Sequence, residues 1–423
     1  MGDHGVALAS HGTQALIGFG TGVLTARVLG PAGRGELAAI LVWVNSLVAA
    51  GFLAMPQAYT YFAGQYPSQR TQLWRLASRH ALLQGVLVAF VSAGVVYIAL
   101  HSAYPNGARV GALFALSAPL TFLVGARLGV LLGAGRIRAW NLLRVAQSFV
   151  YLACLGAFAI TGLSVKWVLL SQALAVVAVG FLTQLTRIAN APATDDAPVR
   201  SVGLRRIIAF GAATTLGLLS NMANSHLDQM LMALLIPPAA LGQYAVAASL
   251  SLAILPIADA IATVAFSRMA QTKTDEGRTE ISCTHLPWVF WTLLVVGGSA
   301  SALARPLIIV AFGSEYQAAV LPFRILAIAV AFLGASHVAG PLLQGAGRPM
   351  LSSWGSFVGA VVTVIGLLVL LPIWGIVGAA VASLCAYVAT MITMYVGLAR
   401  IAQVSVWRLL VPTSMPLRSS AES

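Results

Sequence analysis

Gly133-Ala134-Gly135-Arg136 recurs unchanged as Gly345-Ala346-Gly347-Arg348, 212 positions later in a chain of 423, and each copy closes an apolar run of helix length. That spacing is half the chain. Earlier in each half, Pro31-Ala32, Gly35 and Ala38 are matched by Pro238-Ala239, Gly242 and Ala245 at the similar offset of 207. The chain therefore reads as two halves built on one plan.

Composition fixes the solvent. Apolar residues make up 59% of the chain and charged residues 8%, against roughly 25% charged in soluble domains. A helix needs about 20 apolar residues to cross a hydrocarbon layer of about 30 Å, and a backbone in lipid must satisfy its own hydrogen bonds. Runs of that length with at most one charge fall near 6–28, 37–63, 81–101, 110–133, 142–163 and 167–186. Six more follow near 207–236, 241–267, 286–312, 320–344, 350–371 and 375–399, the last two separated by the turn-like Leu371-Pro372-Ile373-Trp374-Gly375. The fold class is an all-α polytopic membrane protein with 12 spans.

Topology follows from the cations, because Lys and Arg of short loops are retained on the cytoplasmic side. With both termini inside, 16 of the 24 basic residues fall in inner segments, including Arg70, Arg136, Arg205, Arg278, Arg348 and Arg400. The outer loops hold only Arg34, Arg109 and Lys166. The net charge of +13 is thus a topology signal and an attraction to anionic headgroups. Nucleic-acid binding is the weaker explanation of that charge, since no soluble domain is expected to carry it.

The proline- and acid-bearing stretch around Ala191-Pro192-Ala193-Thr194-Asp195-Asp196-Ala197-Pro198 reads as a linker. The expected organisation is a six-helix bundle over 1–188, a cytoplasmic linker over 189–206, a second six-helix bundle over 207–400 and a cytoplasmic tail over 401–423. Six spans per half keep both halves in one orientation, a parallel repeat of the kind that builds many transporters. The N-terminus lacks the basic region and cleavage site of a signal peptide, so the first span is expected to stay. Cys154, Cys283 and Cys385 are too scattered for a metal or disulfide framework. The Gly-Ala-Gly-Arg copies are expected to end helices, with glycine as the cap.

Three stretches carry a family resemblance. Thr25-Ala26-Arg27-Val28-Leu29-Gly30-Pro31-Ala32-Gly33-Arg34-Gly35-Glu36 follows the first span. Asp228-Gln229-Met230-Leu231 leads to Pro238-Ala239-Ala240-Leu241-Gly242-Gln243-Tyr244-Ala245 after the seventh, and Leu342-Leu343-Gln344-Gly345-Ala346-Gly347-Arg348-Pro349 precedes Gly375-Ile376-Val377-Gly378-Ala379. Together they resemble the polysaccharide flippases of the multidrug/oligosaccharidyl-lipid/polysaccharide (MOP) exporter superfamily. The resemblance implies two six-helix bundles around a central cleft, in a bacterial cell membrane. It also implies a polyprenyl-diphosphate-linked oligosaccharide as substrate, moved from the inner to the outer leaflet, with membrane lipids and polysaccharide assembly enzymes as partners.

A diphosphate cannot cross hydrocarbon unpaired, and arginine forks suit phosphate oxygens. The five arginines within spans are the candidates: Arg27, Arg305 and Arg324 toward the outer third, Arg127 and Arg144 toward the inner third. Their alternative is snorkelling to the nearest headgroup. In the seventh span, Thr214, Asn221, Asn224, Ser225 and Asp228 share one helix face, and at the repeat offset the first span supplies Gln14, Gly18 and Thr21. Gln14, Thr21, Asn221, Asn224 and Asp228 are therefore expected to form a polar cleft face that meets sugar hydroxyls, the other reading being interhelical hydrogen bonds.

Asp228 and Asp259 are the intramembrane carboxylates open to H+ or Na+ coupling, or to ion pairing with arginines; for Asp259 those are Arg144 or Arg268. No cofactor, metal cluster or catalytic constellation is expected. The remaining alternatives are a cation-coupled multidrug exporter of the same superfamily, against which the span arginines count, and a membrane-embedded sugar polymerase or ligase, against which the short outer loops count.

Overall fold

Long apolar runs leave backbone groups no partner but the backbone itself, and the chain answers with helices throughout. The structure, a computed structural model, describes residues 3–160, 162–186, 203–271 and 274–411. Its first half runs α1 (Asp3–Gly51), α2 (Met55–Gln65), α3 (Arg70–Leu100), α4 (Pro105–Ala115), α5 (Ala118–Gly133), α6 (Ile137–Ile160) and α7 (Val165–Leu185). The second runs α8 (Leu204–Leu235), α9 (Pro238–Leu252), α10 (Pro256–Gln271), α11 (Asp275–Ala302), α12 (Ala304–Phe312), α13 (Val320–Gly345) and α14 (Pro349–Ala402). No strand occurs among the described residues.

The twelve expected spans map onto these helices. α1 and α14, at 49 and 54 residues, are each two spans joined at one glycine: Gly30 with φ 65° and ψ 178°, and Gly375 with φ 56° and ψ −137°. The expected turn at 371–375 is thus helical up to that single residue. The second span breaks between α1 and α2, where Leu53 and Ala54 are left-handed. Two others bend, α4 to α5 by 43° and α9 to α10 by 42°. α11 and α12 share the ninth span across Leu303, and α3, α6, α7, α8 and α13 supply the rest.

The repeated Gly-Ala-Gly-Arg is a helix stop in both places. Arg136 N–H donates to Leu131 O at 3.0 Å and Gly135 N–H to Leu132 O at 3.0 Å; Arg348 N–H donates to Leu343 O at 2.8 Å and Gly347 N–H to Gln344 O at 3.0 Å. Gly135 and Gly347 have φ of 74° and 77°. This is the Schellman pattern, whose left-handed residue favours glycine.

The chain forms two compact units. The first comprises 1–222, 229–245 and 311–316, the second 223–228, 246–310 and 317–423. Most of the expected linker at 189–206, and the tail beyond 411, lie outside the described residues. In the first unit α3 packs on α5, α6 on α7, and α1 on α6, with Val124, Leu131, Leu143, Val176 and Val179 in one core cluster. In the second, α13 packs against α10, α11 and α14 around Leu286, Val289, Leu333 and Tyr395.

Candidate functional site

Polar residues in an apolar helix cluster where they can share a wet or hydrogen-bonded face, and one such cluster opens into a cavity of about 470 Å³ inside the first unit. α1 lines it with Gln14, Gly18, Thr21 and Thr25, at the four-three-four spacing that keeps one helix face. From Gln14 to Thr25 that face runs about 16 Å at 1.5 Å per residue. α6 adds Arg144, Gln147, Ser148 and Tyr151, also one face, and α7 adds Gln172.

Past the Gly30 kink the helix resumes at once and turns Arg34 onto the same cavity, where its Nη1 lies 3.4 Å from Thr25 Oγ1. Its Nε is buried and has no hydrogen-bond partner. A buried donor left unmade costs about 1–3 kcal/mol, and the residue that bears this one lines the cavity. Arg144 lies over the Trp140 ring at 4.4 Å from its centroid, which holds the guanidinium as a cation–π pair. Among the described residues, the lining thus carries two arginines, three glutamines, a tyrosine and hydroxyls, with no carboxylate. It can bind an anion through forked N–H donors and polyhydroxyl groups through amides.

This cavity gathers Gln14, Thr21 and Arg144 of the residues expected from sequence. Arg127 is elsewhere: it is buried, its Nε donates to Ser78 Oγ (3.1 Å), and its Nη1 donates to Thr183 Oγ1 (2.9 Å) and Gly180 O (3.4 Å). Its guanidinium carbon is 5.3 Å from the Trp74 ring centroid. It ties α5 to α3 and α7. Arg27 is exposed and donates through Nε to Ala311 O at 2.7 Å. Arg305 and Arg324 are exposed residues of the second unit.

Of the polar face expected on α8, the side chains of Thr214, Asn221, Asn224 and Ser225 lie outside the described residues. Asp228 is buried in the second unit, where Ser383 Oγ donates to its Oδ2 at 3.3 Å and Tyr387 lies within electrostatic reach. Asp259 lies against His337, whose Nδ1 is 2.9 Å from its Oδ1. Arg34, Gln147, Tyr151, Gln172 and His337 were not singled out from sequence. The four-residue face of α6 is the signal that could have found two of them.

Helices in this order, with a cationic cavity in the first unit, define a polytopic membrane protein with the fold of the MOP-superfamily transporters. The structure resembles a lipid II flippase MurJ in its inward closed conformation, with TM-score 0.74 and 12% identity over 95% of this chain and 88% of that one. A multidrug resistance MATE family transporter of the MOP superfamily, inward-facing, gives TM-score 0.70 and 15% identity over 93% and 96%. A MOP superfamily transporter from Pyrococcus furiosus gives 0.59 and 15% over 96% and 93%. No curated protein matches by sequence. The model of the polysaccharide biosynthesis protein family matches residues 3–273, and the chain belongs to that family.

Proposed function

We propose that the protein flips a polyprenyl-diphosphate-linked oligosaccharide from the inner to the outer leaflet of a bacterial cell membrane, by alternating access of its two bundles, with both termini cytoplasmic. The observation that carries this reading is the cavity whose described lining holds Arg34 and Arg144 among glutamines and hydroxyls. Arginine forks match phosphate oxygens, and amides match sugar hydroxyls. A cationic drug would meet like charge there. In the Pyrococcus furiosus relative, reverse polarity of the binding pocket is taken to suggest a different function, and pocket sign is likewise the argument here.

In this mechanism Arg34 and Arg144 take up the diphosphate through charge-assisted hydrogen bonds, while Gln14, Gln147 and Gln172 orient the adjoining sugar. Arg127 holds the first bundle rigid as it rocks. Membership of the polysaccharide biosynthesis family supports this reading, and enzymes that build the glycan on one side and extend it on the other would be the natural partners.

The test is deletion of the gene followed by identification of the lipids that accumulate on the inner leaflet. A lipid-linked oligosaccharide is the expected result. Normal surface polysaccharide with raised drug sensitivity would move the protein to the multidrug exporters.

A further inference from the structure

Two arginines of the first unit converge outside the cavity described above, on the last turn of α2. Such a turn leaves carbonyls without helical partners. Arg70, the first residue of α3, donates through Nε to one of them, Ala63 O, at 3.0 Å. One turn on, Tyr66 Oη accepts at 3.1 Å from Nη1 of Arg206, which stands in the first turn of α8. The Arg206 guanidinium carbon lies 5.8 Å from the Phe62 ring centroid and 6.0 Å from that of Tyr66, a cation–π seat on two rings. Phe210, one turn along α8, stacks on Tyr61 at 4.7 Å and meets Phe62 edge-on at 5.8 Å. Ring packing thus fixes one guanidinium and a backbone carbonyl the other, both at the same turn of α2.

We propose that Arg70 and Arg206 form a clamp for the headgroup phosphate of an anionic phospholipid. In the described contacts each guanidinium commits one of its five N–H donors. The stretches that build the clamp, 64–79 and 203–211, contain no acidic residue. Two cations held at one helix turn repel unless an anion bridges them, and the guanidinium fork fits phosphate oxygens. The height suits a headgroup. The apolar run of the second span stops near 63 and that of the seventh begins near 207, so the clamp stands where hydrocarbon gives way to water. Tyr61, 46% exposed, marks the same level, as interfacial aromatics do.

Neither arginine of the clamp, nor any of its four rings, lines the cavity that holds Arg34 and Arg144. The occupant is therefore a resident bilayer lipid and not the transported one, and the site does not depend on the flippase reading. Arg75 and Arg79, exposed early in α3, take no part in the clamp. They exert the diffuse attraction of any basic membrane face. The clamp adds a fixed geometry to that charge, and a phosphate bridging it would tie the start of α8 to the end of α2 and the start of α3.

The experiment is native mass spectrometry of lipid retained by the full-length protein in detergent, paired with thermal melting, after addition of phosphatidylglycerol or phosphatidylcholine at equal mole fraction. A ligand of the folded state raises its melting temperature. Phosphatidylglycerol is expected to be retained by the parent and to raise its melting temperature more than phosphatidylcholine does. Arg70→Gln and Arg206→Gln are each expected to cut retention several-fold and to remove the difference between the lipids, with Arg206→Lys in between. Should Arg70→Gln fail to fold, the exposed Arg206 carries the test. Arg75→Gln/Arg79→Gln, which removes two neighbouring charges, is expected to retain the lipid as the parent does. Equal loss in that control reduces the site to diffuse charge and overturns it. A parent that treats the two lipids alike, or an Arg206→Gln protein that behaves like the parent, also overturns it. A polyprenyl diphosphate that replaces phosphatidylglycerol at the clamp, at equal concentration, overturns the phospholipid as occupant.

Discussion

Gly35 and Gly242, equivalent positions of the two sequence repeats, face each other in the first unit. A Cβ on Gly35 would stand 2.9 Å from Gly242 N and collide with Pro238 O, and a Cβ on Gly242 would stand 2.9 Å from Gly35 N and collide with Pro31 O. The contact is reciprocal, glycine to proline carbonyl in both directions. Duplicated Pro-Ala-x-x-Gly segments thus meet backbone to backbone, which only glycine at both positions permits.

Gly35→Ala and Gly242→Ala are each expected to destabilise by about 1–3 kcal/mol, the usual cost of overpacking. One displacement of the helices relieves both clashes, so the double substitution should cost less than the sum, with a coupling of about 0.5–3 kcal/mol. Thermal melting of the four proteins in detergent measures it. Additive losses would mean that the two glycines do not share one contact.

Arg127 is expected to behave as a structural residue. Arg127→Ala leaves Ser78, Thr183 and the Gly180 carbonyl facing a void where a guanidinium had bonded them. Hydrogen bonds to charged groups contribute about 1.5–3 kcal/mol each net, so folded protein in the membrane should fall sharply, and Arg127→Lys should recover part of it. A variant that melts like the parent but fails to flip would return Arg127 to the substrate path.

Much of this was legible in the sequence because the bilayer imposes so simple a rule. Twelve spans, their paired glycine stops and the repeated Pro31 and Pro238 segments follow from apolarity and small-residue spacing. The cavity was legible only in part. Gln14 and Thr21 stood out through the repeat and Arg144 through its charge, yet Gln147, Ser148 and Tyr151 on the same helical face are neutral and drew no attention. Arg34 was placed in an outer loop because it follows Gly30-Pro31, and the dihedral angles of that one glycine decide where it points. Arg127 looked like a path residue because its three partners lie 49 to 56 positions away. His337 and Asp259 are 78 positions apart, and nothing in either segment announces the other.

Asp228 separates charge from hydrogen bonding. Its carboxylate is buried and accepts from Ser383 Oγ. Asp228→Asn retains an acceptor and should melt near the parent, whereas Asp228→Ala leaves the Ser383 hydroxyl without that acceptor and should lose about 1–3 kcal/mol.

Arg34 allows a test in which stability and function part company, with Arg144 as its comparison. Arg34 Nε is buried without a partner, so truncation to alanine removes an unsatisfied donor. Its melting temperature should stay level or rise, the pattern of a residue kept for function at the expense of stability. Flipping should nonetheless fall about tenfold or more, since each lost charge-assisted bond to phosphate is worth about 1.5–3 kcal/mol. Arg144→Ala should show the same loss of flipping, with a small loss of stability from the Trp140 contact. Lysine at either position restores the charge but not the fork, so Arg34→Lys and Arg144→Lys should fall between alanine and the parent. The readouts are melting in detergent and the inner-leaflet level of lipid-linked oligosaccharide. If Arg34→Ala instead destabilises the protein and leaves that lipid level unchanged, the cavity is a packing defect and the anion site lies elsewhere.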